Sequence, residues 1–246
     1  MLEWLHQKHN KPRICAIIAA AGSGQRMGGI DKQMLLLGDV PVVARSIVAY
    51  QDCPRITDIV VVCPGPDIAA FYDLVRNFAW DKIRQVVAGG RERQDSVRAG
   101  IDAAPAETAY FAIHDGARPL VTPEVIDTCL DAAMTHGAAA VGIPIKDTVK
   151  IRDDSGFINT TLDRSRLWGM QTPQIFEANL YRRAMAQAQA QAQGRSYTDD
   201  CQLVEQAGHP VFLAMGSYEN IKITTPEDIA LAYGILARRE GRIVND

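Results

Sequence analysis

A glycine-rich segment with two cations follows the first strongly apolar stretch of the chain. Its glycines are Gly22, Gly24, Gly28 and Gly29, and its cations are Arg26 and Lys32. Glycines let backbone N–H groups approach a ligand closely and form concave sites that bind anions. Arginine and lysine side chains add the positive charge that holds a triphosphate. The segment therefore indicates phosphate chemistry.

Two better-known glycine loops do not fit this spacing. A dinucleotide-binding loop has a third glycine where Met27 stands and an acidic residue about 20 residues further on, whereas Asp52 lies too far along. A Walker loop has serine or threonine directly after its lysine, but Lys32 is followed by Gln33. What remains is Gly-x-Gly-x-Arg-Met followed by a lysine. An ordinary strand-to-helix turn is the alternative interpretation.

Two further candidate segments follow later predicted strands. Gly89 and Gly90 come after the apolar run 83–87, and Asp115 comes after the run 110–114. Parallel strands that are joined by helices present their carboxyl ends at one edge of the sheet, where such sheets bind ligands. We therefore expect the glycine-rich segment, Gly90 and Asp115 to share one crevice.

The elements that would position these segments alternate between apolar strands and amphipathic helices. The predicted strands span residues 14–19, 59–63, 83–87, 110–114, 138–145 and 211–215. The predicted helices span residues 41–51, 67–78, 93–103, 123–136 and 177–193, and a last helix begins after Thr225. This order predicts an α/β fold, with a Rossmann-like, mostly parallel sheet flanked by helices. We expect a single domain over residues 1–246, with residues 1–12 as an N-terminal tail.

Residues 146–162 break this alternation. Two short strands, Thr148–Arg152 and Phe157–Thr161, flank a turn at residues 153–156. The hairpin is too polar to bury a core of its own, and an isolated hairpin is only marginally stable in water. We predict that it is a protruding dimerisation arm that packs on another subunit. A mobile surface arm is the alternative.

Composition limits the class of protein. The 246 residues are 47% hydrophobic and 22% charged with a net charge of −3, which argues against a general nucleic-acid or membrane-surface binder. No apolar run approaches the ~20 residues of a membrane span, and residues 1–11 contain no segment typical of a secretion signal. The five cysteines lack metal-ligand spacing, so we expect buried free thiols, no structural zinc and a cytoplasmic protein.

Together these motifs resemble the 2-C-methyl-D-erythritol 4-phosphate cytidylyltransferases of the non-mevalonate isoprenoid pathway. The resemblance runs from about Ile14 to Arg239. The matching blocks are residues 20–27, 32–33, 89–97, 114–119, 147–148, 163–164, 167–168, 171–174 and 220–228. The first block occurs in sugar nucleotidyltransferases in general, whereas the ordered set is shared mainly with this family and its ribitol 5-phosphate relatives.

The resemblance implies an enzyme that transfers CMP from CTP to the phosphate of 2-C-methyl-D-erythritol 4-phosphate and releases pyrophosphate, with Mg²⁺ as cofactor. It also implies a homodimer. The acceptor phosphate is already an anionic nucleophile, so the reaction needs no general base but does need cations that bring two polyanions together. Two other functions stay open: a cytidylyltransferase for another polyol phosphate, such as ribitol 5-phosphate, and a non-catalytic nucleotide sensor.

The resemblance also implies roles for residues on the CTP side. Backbone contacts to CTP match Ala20, Ala21, Gly22 and Gly24, and the contacts beside the cytosine match Gly90 and Ser96. Arg26 and Lys32 match the catalytic groups that stabilise the transition state on the triphosphate. Asp115 matches the acid near the metal and the ribose. A carboxylate that only caps a turn is the alternative interpretation of Asp115.

On the acceptor side the matching positions are Gly116, Thr148, Arg164, Thr172 and Lys222. In the family, the counterparts of Thr148 and Arg164 reach in from the arm of the partner subunit. The alternative interpretation of Lys222, which lies between two isoleucines, is an edge-strand charge that protects against aggregation. We expect His114 to be structural and Arg93 to brace its loop.

Overall fold

The strand β1 (Ile14–Ala19) lies inside the main sheet of the protein. The computed structural model describes residues 11–22, 33–190 and 197–242. The other strands are β2 (Leu36–Leu37), β3 (Val40–Pro41), β4 (Asp58–Cys63), β5 (Ile83–Ala88), β6 (Tyr110–Asp115), β7 (Ala138–Pro144), β8 (Lys150–Arg152), β9 (Ile158–Thr161), β10 (Trp168–Glu177) and β11 (Phe212–Met215). The helices are α1 (Val42–Asp52), α2 (Ile68–Asn77), α3 (Arg93–Asp102), α4 (Pro123–His136), α5 (Ala178–Ala190), α6 (Asp200–Gln206) and α7 (Pro226–Arg239).

Within the described ranges, seven strands form one sheet in the order β11-β7-β10-β6-β1-β4-β5. β1 runs parallel to β4 and β6, β4 runs parallel to β5, and β7 runs parallel to β11. Only β10 is antiparallel to its neighbours in this sheet, β6 and β7. The predicted α/β fold with a mostly parallel sheet is therefore confirmed, and the six predicted strands are all present.

The strand β10 has no clear signal in the sequence. Its residues mix polar and apolar side chains and include Pro173, which cannot donate a ladder hydrogen bond. The pairing of β10 with β7 shifts register between Met170 and Gln174, on either side of this proline. The short helix α6 also lies outside the predicted elements. Both elements contribute polar side chains to the site described below.

The core lies on both faces of the sheet, as expected for parallel strands that are covered by helices. Along β1, Ala16 and Ile18 face the side of α1 and α4, whereas Cys15 and Ile17 face the side of α3 and α5. Helix α3 packs closely on this second face because of Gly100. A Cβ atom at Gly100 would lie 2.5 Å from Cγ2 of Ile17. The five cysteines are free and buried, as predicted.

The predicted hairpin is present in the structure. β8 pairs antiparallel with β9, and the turn between them is closed by backbone hydrogen bonds that involve Asp153. Both strands are exposed along their whole length. The arm carries three exposed apolar side chains, which are Ile151, Phe157 and Ile158. None of the helices in the described ranges combines the length and the apolar character needed to cross a membrane.

Candidate active site

Three of the predicted segments meet at the carboxyl-end edge of the sheet. Ala19 at the end of β1 is in register with Asp115 at the end of β6, and the amide of Gly116 donates to the carbonyl of Ala19 at 2.9 Å. On the other side of β1, a Cβ atom at Gly89 would lie only 2.3 Å from the Cβ of Ala21. The described parts of these segments therefore lie side by side at this edge, as expected of segments that share a site. Gly24, Arg26 and Lys32 lie in residues 23–32, outside the described residues.

The loop before α3 is held by the buried Ser96. Its hydroxyl accepts a hydrogen bond from the amide of Gly90 and donates to the carbonyl of Glu92, both at 3.2 Å. The Asp95 carboxylate accepts from the amide of Glu92. A Cβ atom at Gly90 would lie 2.3 Å from the Cβ of Asp95, so the loop can take this tight form only with glycine there. Gly90 and Ser96 therefore shape one wall of the crevice.

The Asp115 carboxylate is nearly buried and has three cations around it. Lys222 Nζ lies 2.8 Å and Arg118 Nε 3.6 Å from its Oδ2 atom, and Arg93 Nε lies 3.4 Å from its Oδ1 atom. Burial alone would raise the pKa of Asp115, but Lys222, Arg93 and Arg118 together hold that pKa well below its ordinary value. The carboxylate is therefore ionised at neutral pH. It is more than a turn cap, because two of its ion-pair partners come from distant segments.

The backbone of Asp115 is positioned by Thr172 and His114. The Asp115 amide donates to Thr172 Oγ1 at 3.1 Å, and the same hydroxyl lies 2.9 Å from His114 Nδ1. Because the hydroxyl accepts from the amide, its hydrogen goes to Nδ1, and His114 Nε2 donates to the carbonyl of Arg118 at 3.3 Å. Burial lowers the pKa of His114 to about 3, so this ring is neutral at neutral pH. His114 is structural, as expected.

The segment before α7 brings Lys222 to Asp115. Arg118 donates to the carbonyl of Asn220 at 2.7 Å, and the Asn220 side chain donates to the carbonyl of Thr172 at 2.8 Å. The amide of Ile223 donates to the carbonyl of Ala117 at 2.8 Å. Residues 221–224 do not form a strand. The interpretation of Lys222 as an edge-strand charge is therefore wrong, since its ammonium group pairs with a buried carboxylate.

Thr148 and Arg164 lie at the base of the arm, and both are exposed. Arg164 Nη1 donates to the carbonyl of Lys146 at 2.8 Å. Among the described residues, neither side chain makes a hydrogen bond or an ion pair with the cluster around Asp115. A single chain therefore does not join these two predicted acceptor residues to Lys222.

Arg118 and Asp200 belong to the same polar cluster but carry no role in the sequence-based prediction. Arg118 follows Asp115 by three residues and lies within the matching block 114–119. That position in the block could have identified it as a site residue. Asp200 opens α6 and pairs with Arg93 Nη1 at 2.7 Å. Three cations thus face two carboxylates, which leaves a net positive charge suited to a polyanionic substrate.

The fold and this cluster together define an α/β protein in which a glycine-rich segment follows β1 and an acid surrounded by three cations ends β6. The family model of 2-C-methyl-D-erythritol 4-phosphate cytidylyltransferase matches residues 14–238 of the chain. The chain therefore belongs to this family. It is an enzyme, and its class is that of the cytidylyltransferases, a group of nucleotidyltransferases.

Individual relatives agree with the family model. The cytidylyltransferase of the same name from Desulforamulus reducens is 46% identical over 228 residues, which are 92% of this chain and 97% of the relative. The one from Syntrophus aciditrophicus is 43% identical over 237 residues, which are 95% of this chain and 100% of the relative. The crystal structure of 4-diphosphocytidyl-2C-methyl-D-erythritol synthase from Anaerococcus prevotii is similar with a TM-score of 0.82 at 31% identity, covering 93% of this chain and 100% of that one.

Nucleotidyltransferases of this family generally use a divalent metal ion. Within the described ranges, no group of three or more histidine, cysteine, aspartate or glutamate side chains could hold one. A lone carboxylate such as Asp115 nevertheless suits a magnesium site, because Mg²⁺ is commonly held by one or two carboxylates while substrate phosphates and waters complete its shell. Asp115 could supply such a carboxylate.

Proposed function

We infer that this chain transfers CMP from CTP to 2-C-methyl-D-erythritol 4-phosphate, giving 4-diphosphocytidyl-2-C-methyl-D-erythritol and pyrophosphate in isoprenoid precursor synthesis. The observation that carries this inference is the ionised Asp115 with Arg93, Arg118 and Lys222 around it, at the sheet edge where the nucleotide-binding segments meet. Membership of the cytidylyltransferase family supports the choice of nucleotide and acceptor.

The proposed reaction depends on the charges of its two substrates. An oxygen of the acceptor phosphate attacks the α-phosphorus of CTP, and pyrophosphate leaves from the opposite side. No side chain has to remove a proton, because the acceptor oxygen is already anionic. His114 is unsuited to act as a base, since burial lowers its pKa to about 3 and both ring nitrogens have hydrogen-bond partners. The remaining task is to bring two anions together and to stabilise charge that grows in the transition state.

We assign that task to the cations of the crevice. Arg26 and Lys32 act on the triphosphate, an assignment that rests on their place in the glycine-rich segment. The backbone of Ala20, Ala21, Gly22 and Gly24 contacts the triphosphate, and the loop of Gly90 and Ser96 receives the cytosine. Asp115 would hold Mg²⁺, and the bound ion would supply positive charge to the phosphates. Gly116, Thr172 and Lys222 lie on the acceptor side, where Lys222 contacts the acceptor phosphate.

The acceptor site is completed by a second copy of the chain. The arm exposes Ile151, Phe157 and Ile158, because its two strands have no core in which to bury them. A two-fold dimer would bury these side chains, and it would carry Thr148 and Arg164 at the base of the arm towards the partner's Lys222. We propose a homodimer with two shared sites.

The net charge of −3 argues against a nucleic-acid or membrane partner. Five free cysteines indicate a reducing compartment, and we place the protein in the cytoplasm.

The decisive assay measures pyrophosphate release by the purified protein with CTP, Mg²⁺ and either 2-C-methyl-D-erythritol 4-phosphate or ribitol 5-phosphate. We expect turnover with the first acceptor and a much lower kcat/KM with the second. Equal or better turnover of ribitol 5-phosphate would assign the other polyol phosphate instead. CTP binding without pyrophosphate release on either acceptor would instead support a nucleotide sensor.

A further inference from the structure

A second buried carboxylate lies behind the cluster around Asp115. The Asp200 side chain is only 4% exposed, and Arg93 lies between it and Asp115. Arg93 Nη1 is 2.7 Å from Asp200 Oδ2, whereas Arg93 Nε is 3.4 Å from Asp115 Oδ1. The guanidinium group thus makes a short, charge-assisted hydrogen bond to Asp200 and a longer contact with Asp115.

Asp200 is itself fixed from several sides. The Tyr181 hydroxyl donates to Asp200 Oδ1 at 2.6 Å. The amides of Asp200 and Cys201 donate to Oε1 of Gln174 at 3.0 and 3.2 Å, and Nε2 of Gln174 donates to Asp199 at 3.0 Å. These contacts tie the first turn of α6 to β10 and α5. The Asp200 carboxylate is therefore fixed from several sides, and its partner Arg93 lies on the first turn of α3.

We propose that Asp200 is a positioning residue that restrains Arg93 and thereby keeps the Asp115 carboxylate available to the substrates. Asp115 and Asp200 compete for the guanidinium group of Arg93, and Asp200 holds that group at the shorter distance. Without Asp200, Arg93 would close on Asp115 and form with it the strong bidentate pair that arginine makes with carboxylates. Asp200 does not touch the reacting atoms, so its influence on the reaction passes through Arg93. This proposal rests on the function inferred above for Asp115.

The test is a double-mutant cycle on kcat with Asp200→Asn and Arg93→Gln. We expect Asp200→Asn to lower kcat at least about tenfold while KM for CTP changes less than about twofold, because the loss acts on Asp115 in the transition state. In the Arg93→Gln background, Asp200→Asn should change kcat less than about twofold, since the restrained group is gone. An equal loss in both backgrounds, or an unchanged kcat for Asp200→Asn alone, would overturn the proposal.

The matched control is Asp58→Asn at the opposite, amino-terminal edge of the sheet. Asp58 is also a buried carboxylate between two arginines, Arg13 and Arg84. Its substitution should lower the unfolding free energy as Asp200→Asn does and leave kcat unchanged below the melting temperature. A comparable loss of kcat in Asp58→Asn would mean that Asp200 acts through stability alone.

A structural measurement keeps the proposal testable if Asp200→Asn folds poorly or if no acceptor is turned over. A crystal structure of Asp200→Asn, or of Asp200→Ala if needed, should show Arg93 hydrogen-bonded to Asp115 at about 2.9 Å. An unmoved Arg93 in that structure would overturn the proposal without reference to activity, whereas an inactive wild type would count only against the proposed function.

Discussion

Lys222 Nζ lies 2.8 Å from Oδ2 of Asp115, which joins the segment before α7 to the carboxyl end of β6. The two residues are far apart in the chain, and their contact depends on Arg118 and Asn220, which hold the segment in place. Lys222 is about one-third exposed, so its ammonium group also faces the crevice. Under the proposed function, Lys222 would leave Asp115 and bind an incoming phosphate.

The first prediction concerns Lys222. We expect Lys222→Ala to lower kcat/KM for the acceptor by roughly 10- to 100-fold, because a charge-assisted hydrogen bond to the acceptor phosphate is lost. KM for CTP should change little. Steady-state kinetics with each substrate varied in turn gives the two values. The control is Arg76→Ala, which removes an exposed cation from α2 and should leave both unchanged; an unaffected acceptor kcat/KM in Lys222→Ala would rule out the contact.

The second prediction concerns Asp115. We expect Asp115→Asn to raise the Mg²⁺ concentration needed for half-maximal turnover and to lower kcat, because an amide oxygen binds Mg²⁺ far less well than a carboxylate. The variant should also be less stable, since Lys222 and Arg118 then lack a buried carboxylate partner and Arg93 keeps only Asp200. Magnesium titrations of activity and urea unfolding measure the two effects. An unchanged magnesium requirement would remove Asp115 from the metal site.

The third prediction concerns Arg26. Replacing it with alanine or methionine should lower kcat about 10²- to 10³-fold and weaken CTP binding much less, because a preorganised cation beside growing charge stabilises the transition state more than the ground state. Lys32→Ala should behave in the same way. Turnover assays and calorimetric CTP titrations provide the comparison. A normal kcat in the Arg26 variant would exclude that residue from the mechanism.

The fourth prediction concerns the arm. Arg164→Ala should raise KM for the acceptor with little effect on CTP, and Ile158→Glu should convert the dimer to a monomer in sedimentation experiments, because a charge then replaces a side chain buried between subunits. Mixing Arg164→Ala subunits with Arg26→Ala subunits should restore part of the activity at an acceptor concentration well below the raised KM, where each homodimer is nearly inactive. In such a heterodimer one shared site carries both substitutions and the other carries neither. If subunits exchange and no activity returns, the arm does not complete its partner's site.

The fifth prediction concerns pH. Burial lowers the pKa of His114 from an ordinary 6.5 to about 3, so between these values the unfolded chain binds a proton there and the folded protein does not. The stability contributed by the neutral ring is complete above pH 6.5 and is lost as the pH falls towards 3. The expected slope is about 1.4 kcal/mol per pH unit. Urea unfolding between pH 6.5 and 5 should show this slope in the wild type and not in His114→Asn.

The matched control for that measurement is His209→Asn, which removes a partly exposed histidine from the end of α6. Its unfolding free energy should follow the wild-type pH dependence. If His114→Asn instead keeps the full wild-type slope over this pH range, other groups are responsible and the buried ring does not resist protonation.

The local pattern of the chain was sufficient for most of the fold. Apolar runs of strand length and amphipathic segments of helix length predicted six strands of the main sheet, because burial on a parallel sheet requires continuous apolar residues. Gly90 before α3 was visible because its tight loop excludes other residues. β10 escaped prediction because its buried side chains Gln171, Thr172 and Gln174 are polar. Their hydrogen-bond partners come from other parts of the chain, which the local sequence does not reveal.

By itself the sequence determined the α/β class and the order of most elements, and it named Asp115, Lys222, Gly90 and Ser96 as candidate site residues. Only the tertiary structure decided that Asp115 is ringed by cations, that Arg118 holds Lys222 in place, and that Asp200 competes for Arg93. The reason is that strand and helix patterns report which face of an element is buried. Ion pairs between residues about 100 positions apart depend on how loops from different strands converge, and no local pattern encodes that convergence.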